Sequence, residues 1–229
     1  LKHIAMLVCL LFTTSLILVS CNLEEDPPFL DNTMYGNAQS AEAARDGIYA
    51  AFTHYNAQEQ RMFVENGYSG LMVTRRGGNK LSAVWMNNVM KLNPNENVDT
   101  QNTWIGIYRI ISRSNAAISN STYDTSSTEA SQVRINDVVG HAFFSRAWGY
   151  FSLTRLWGDV PVWTTLPDSD NIHKEKTPSK DVYQQIIADA TQAKALLNGS
   201  AGNGFPKEHA ASMLLSKVYM QLATNPNLQ

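Results

Sequence analysis

The chain has 229 residues, enough for one large domain or two small ones. Apolar residues make up 44% and charged residues 17%, a normal globular balance, and the formal net charge is −2. No basic block is present, which argues against a nucleic-acid backbone as partner.

Lys2 and His3 give a short positive start, and Ile4 to Val19 is then apolar, broken only by Thr13, Thr14 and Ser15. Leu18 to Cys21, LVSC, follows. This is the three-part layout of a secretory signal peptide, and the apolar run is short for a membrane span of about 20 residues. The Ser20–Cys21 step resembles the lipobox of bacterial lipoproteins. That resemblance implies removal of residues 1–20 and lipidation of Cys21, giving a membrane attachment through the lipid anchor. The plainer alternative is a buried or free cysteine. The only other cysteine, Cys9, lies in the segment to be removed, so the mature chain is expected to rest on its apolar core without a disulfide. The leading Leu1 suggests a non-Met start codon or a clipped N-terminus.

Residues 21–39 read as a tether. Glu24, Glu25 and Asp26 form an acidic cluster, and Pro27 and Pro28 keep the chain extended. Beyond a solvated spacer, the cluster resembles the surface-export signal of Bacteroidetes lipoproteins. The domain proper, 40–229, is expected to be all-α. Ser40 is a possible N-cap, with Glu42 in the first turn, and Ala44, Ile48, Ala51 and Tyr55 fall on one helix face. A second stripe runs from about 102 to 119 through Trp104, Ile107, Tyr108, Ile111, Asn115 and Ile118. A long helix spans about 132–157, stopped by Gly158, Asp159 and Pro161. Residues 160–166 read as extended. Thr177 and Pro178 suit an N-cap and first-turn pair for a helix carrying Val182, Ile186, Ala190, Ala193 and Leu197. The last helix starts near Lys207, with Ala211, Leu215, Val218 and Leu222 on one face. Paired amphipathic helices with small residues at Ala147, Ala190, Ala193 and Ala211, and with Tyr150, Tyr183 and Tyr219, suggest a tetratricopeptide-like helical repeat array. The chain stops at ATNPNLQ without the polar cap such an array needs, so a truncated product is expected.

The chemistry-bearing signatures are missing. No HxxxH or HExxH pairs the histidines, so no metal site is expected, and no cofactor motif of the GxGxxG or P-loop kind occurs. No GxSxG elbow is present, and the carboxylates show no spacing that selects a glycosidase pair. The stretch from about 61 to 103 is long for a connection between helices. There Trp85 is flanked by Asn87 and Asn88, with Tyr68, Arg75 and Arg76 upstream, the composition of a sugar site. An indole face can pack on a pyranose while amides and guanidinium groups meet its hydroxyls. Equally, Trp85 can plug a satellite core.

Residues 146–163, RAWGYFSLTRLWGDVPVW, place five aromatic rings in eighteen residues. Helical geometry puts Arg146, Tyr150, Leu153 and Trp157 on one face and Trp148 opposite Trp157, which excludes one shared stacking platform. Aromatic rings around the circumference instead mark a helix packed on several sides. The longer stretch GHAFFSRAWGYFSLTRLWGDVPVW (140–163) resembles the signature of the SusD/RagB family of nutrient-uptake outer-membrane lipoproteins. The segments ARDGIYAAF (44–52), WIGIYRIISRSNAAI (104–118), VYQQIIADATQAKALL (182–197) and AASMLLSKVYMQLA (210–223) fit in order. His141 and Ser145 depart from the family's usual Glu and Leu. The resemblance implies a SusD-like α/α superhelix whose C-terminal half is missing here. It also implies a surface-exposed, non-enzymatic protein that binds an oligosaccharide ligand and serves a SusC-like TonB-dependent transporter as partner. By location, it places part of the glycan contact in the Trp85 region. A peptide-binding RagB-like role and an α/α-scaffold glycosidase are the alternatives.

Overall fold

In a computed structural model, residues 37–53, 98–121, 128–167 and 172–228 are described. They form helices α1 (Ala38–Thr53), α2 (Val98–Asn120), α3 (Glu129–Trp157), α4 (Ser179–Leu196) and α5 (Glu208–Thr224), with a final 3-10 turn at Pro226–Leu228. No strand occurs among them; one isolated antiparallel bridge joins Val160 to Thr177. Each helix packs on the next in sequence, and α1 also rests on α3. This is the all-α stacking expected from the amphipathic pattern. All the described residues belong to the unit Tyr35–Gln229.

The helix ends are set by local chemistry. Thr128 is extended at the N-cap of α3 and accepts the Ser131 N–H at 3.3 Å. Gly158 closes the same helix at φ 76°, a backbone region that favours glycine, and donates to the Thr154 carbonyl at 2.9 Å. Two caps differ from the sequence expectation. Asn37, not Ser40, caps α1, because its Oδ1 accepts the Ser40 N–H at 2.9 Å. Glu42 is thereby moved past the first turn and instead forms a two-pronged pair with Arg134 of α3, at 2.8 and 2.6 Å. Helix α4 begins one residue later than expected, since Thr177 is held in the bridge. Its cap comes from a distance: the Asp159 carboxylate accepts both the Ser179 N–H and hydroxyl at 2.7 Å.

The main core joins Ile107 and Ile111 of α2, Tyr150 and Leu153 of α3, Val182 and Ile186 of α4, and Leu214 and Val218 of α5. The expected small positions Ala147, Ala190, Ala193 and Ala211 are all fully buried. Tyr219 is not the inward ring that the repeat pattern suggested; it is 54% exposed, because Leu214 and Val218 take the inner face of α5. On α1 it is Arg45 rather than Ala44 that is buried, stacked over the Phe205 ring at 4.3 Å. Close approach explains two glycines of α3. A Cβ at Gly149 would lie 2.9 Å from Ile111 Cγ1, and one at Gly140 would lie 2.9 Å from the Leu197 backbone nitrogen.

A second buried hub lies between α3 and the turn before α5. Asp137 accepts backbone N–H groups from Asn198 (2.9 Å), Gly199 (3.1 Å) and Ala201 (2.9 Å). His141, one turn on, is fully buried. Its Nδ1 lies 2.8 Å from the Tyr49 hydroxyl and its Nε2 is 3.4 Å from Asp137. The rings of Tyr49 and Phe205 pack edge-on against it. This histidine is therefore built into the core.

Candidate functional site

The stretch after α3 forms a strap. Residues 160–167 run without helix from the bridge at Val160 past Trp163 to Pro167. A chain with no regular structure must place its backbone polar groups on something. Here side chains of α2 and α3 supply the partners. The Tyr108 hydroxyl donates to the Pro161 carbonyl at 2.8 Å. The Tyr150 hydroxyl donates to the Trp163 carbonyl at 2.8 Å and accepts the Trp163 N–H at 2.7 Å. The Asn115 amide donates to the carbonyls of Trp163 (2.9 Å) and Thr165 (3.0 Å). Arg146 donates to the Thr164 carbonyl at 2.9 Å.

Arg146 is the centre of this network. Its guanidinium meets both Asp189 carboxylate oxygens, at 2.8 and 2.7 Å, and the Asn115 side-chain oxygen at 2.8 Å. The ion pair is buried on both sides, with side chains 5% and 2% exposed. One side chain of α3 thus ties α4, α2 and the strap together, in the planar, forked geometry that arginine supplies and lysine does not. Burial pushes the Asp189 carboxyl above its usual range, and the Arg146 and Gln185 hydrogen bonds pull the other way. Burial likewise raises the Tyr108 and Tyr150 hydroxyls, which therefore stay protonated and able to donate.

Between the strap and α2 lies a cleft of about 290 Å³. Helix α2 contributes Trp104, Tyr108, Ile111, Ser112 and Asn115, and the opposite wall is Trp163, Pro167 and Ile172. The rings form a connected set. Trp104 and Tyr108 have centroids 4.8 Å apart, and Tyr108 meets Trp163 edge-on at 5.5 Å. Trp157 supports Trp104 from behind at 5.1 Å. Trp148 belongs elsewhere, 4.7 Å from Phe52 of α1, so the two tryptophans of α3 do serve different sides of the helix.

The residues singled out from sequence for ligand contact, Tyr68, Arg75, Arg76, Trp85, Asn87 and Asn88, lie outside the described residues, as does Cys21. The cleft was not anticipated as a site. Its signal was present as the Trp104–Tyr108 pair at i, i+4 and as Asn115, a polar residue on an apolar stripe. Among the described residues no group of three or more His, Cys, Asp or Glu side chains is placed to hold a metal ion. No helix among them is long and apolar enough to cross a membrane.

Residues 28–220 match the SusD-like family model described as starch-binding and associating with the outer membrane. A SusD-like protein of Formosa agariphila is 34% identical over 120 residues, 51% of this chain and 23% of the relative. A SusD-like protein of Bacteroides ovatus is 27% identical over 224 residues, 91% of this chain and 38% of the relative. Among solved structures, a laminarin-binding SusD-like protein superposes with a TM-score of 0.66 at 22% identity, covering 85% of this chain and 42% of the other. The chain thus spans well under half the length of these relatives.

Proposed function

Because the chain belongs to the SusD-like family, described as starch-binding and associating with the outer membrane, we propose that it captures oligosaccharides at the cell surface and passes them to a SusC-type TonB-dependent transporter. The match over residues 28–220 carries this reading. The N-terminal pattern supports the address: residues 1–20 direct export, Cys21 takes the lipid, and the acidic, proline-containing stretch that follows spaces the domain from the membrane. Ligand contact is assigned to the 61–103 stretch, with Trp85 as stacking ring and Asn87, Asn88, Arg75, Arg76 and Tyr68 as its polar and aromatic neighbours.

Two measurements test this. Trp85→Ala should weaken oligosaccharide binding by about 1–3 kcal/mol in calorimetric titration, the loss expected for an aromatic hot spot. Unchanged affinity removes Trp85 from the site. Extraction of the outer membrane in mild detergent should recover the chain together with a TonB-dependent barrel; recovery of the chain alone removes the proposed partner.

A further inference from the structure

We infer that Asn203–Gly204, in the turn between α4 and α5, is a site of spontaneous deamidation, and that Asn198–Gly199, earlier in the same turn, is protected from that reaction by the Asp137 hub. The inference does not depend on what the chain binds.

The chemistry needs only water. The Gly204 backbone nitrogen loses its proton and attacks the Asn203 side-chain carbonyl carbon; ammonia leaves, and a five-membered succinimide ring closes. Water then opens the ring at one of its two carbonyls. One opening gives aspartate. The other gives isoaspartate, in which the side-chain carbon joins the main chain. Asn-Gly steps are especially prone to this, because glycine has no Cβ to hinder the approach. The sequence holds such steps at 66–67, 198–199 and 203–204, the first of them outside the described residues.

The two steps in the turn differ in how they are held, although both asparagines are exposed. The Asn198 amide is fixed at both ends. Its Nδ2 donates to the Val133 carbonyl at 3.0 Å, and its Oδ1 accepts the Ser200 N–H at 3.0 Å. The nitrogen that would attack, that of Gly199, donates to Asp137 at 3.1 Å. The amide plane cannot turn to meet that nitrogen until these bonds break. Asn203 has no such restraint: among the described residues, no group is hydrogen-bonded to its side chain or to the Gly204 N–H. It sits between two exposed glycines at φ 86° and 95°, where an added Cβ would meet nothing within 4 Å.

Conversion has a structural consequence. The Phe205 ring, two residues on, lies under the Arg45 guanidinium at 4.3 Å and meets the rings of Tyr49 and His141 at 5.3 and 5.6 Å. An isoaspartate at 203 adds one carbon, about 1.5 Å of bond, to the main chain ahead of that ring. The turn thereby loosens its hold on α1.

The test ages the full chain in mildly alkaline buffer, folded and in urea. Trypsin then releases residues 195–207 as one peptide carrying both steps, and fragment masses assign each conversion. In the folded chain Asn203 should convert at least about tenfold faster than Asn198, whose hydrogen bonds must break first. In urea the two rates should become comparable. Asp137→Asn should speed conversion at Asn198 and leave Asn203 unchanged. The aged chain should unfold at a lower temperature than the fresh one, and Asn203→Gln, which would have to close a six-membered ring, should abolish that loss. Comparable rates in the folded chain, or faster conversion at Asn198, would overturn the inference. So would an Asn203 that converts in urea but not in the folded chain. An unfolding temperature that does not fall as Asn203 converts, or that falls equally in Asn203→Gln, would overturn the loosening of α1.

Discussion

Replacing Arg146 with alanine is expected to lower the free energy of unfolding by about 3–5 kcal/mol, the usual cost of removing one partner from a buried ion pair. Among the described residues, the Asp189 carboxylate, 2% exposed, would be left with only the Gln185 side chain as a donor, at 2.9 Å. The Thr164 carbonyl and the Asn115 side-chain oxygen would lose their donor as well. A loss of that size is a large share of the about 5–15 kcal/mol that holds a typical domain together. The double variant Arg146→Met with Asp189→Leu should recover much of it, because replacing a whole buried pair by apolar groups of similar volume is often neutral. It would not restore the strap, which would keep its Tyr108, Tyr150 and Asn115 anchors but lose the one at Thr164. Urea denaturation of the three proteins measures this. A loss under about 1 kcal/mol for Arg146→Ala would show that water replaces the pair at little cost.

The second large effect is at Asp137. Burial pushes its carboxyl up, but the neighbouring His141 and the backbone N–H groups of Ala201 and Asn198 more than offset this, bringing it from 3.8 down to about 2. A carboxyl held below its unfolded value adds stability that is fully present above about pH 4 and is lost as the pH falls toward 2. The lowering corresponds to roughly 2 kcal/mol. Asp137→Asn is therefore expected to cost at least about 2 kcal/mol at pH 7, since the amide presents one acceptor oxygen where three backbone donors converge. The gap between the two proteins should narrow as the pH falls from 4 to 2. Thermal unfolding over that range checks the sign; a gap that stays constant would mean the charge contributes nothing.

The helices were legible in the sequence because each carries an apolar stripe with the helical period. Ile107, Ile111, Val182, Ile186 and Val218 all point inward as that period requires. Gly158 stops α3 where its sequence context places the stop. What periodicity does not carry is a partner distant in sequence. Asp159 reads as part of a helix stop, yet it caps a helix twenty residues further on. Asp137 has the look of a polar position on an amphipathic helix, and only the path of residues 198–201 turns it into a buried anchor. Arg146 is conspicuous within its aromatic surroundings, but its three partners, Asn115, Thr164 and Asp189, come from α2, the strap and α4, at separations from 18 to 43 residues. The same limit hid the cleft. Trp104 and Tyr108 register as one helix face, and Trp163 comes beside Tyr108 only because the strap folds back. RAWGYFSLTRLWGDVPVW therefore has two uses. Its helical part is scaffold, and its last ring lines a cavity.

Capture without turnover is the central claim, and equilibrium dialysis of the full chain against maltotriose and laminaritriose tests it most directly. The account predicts saturable retention of at least one trimer and complete recovery of that trimer, unshortened, when the protein is removed. No saturable retention, or recovery of mono- and disaccharides in its place, would contradict it.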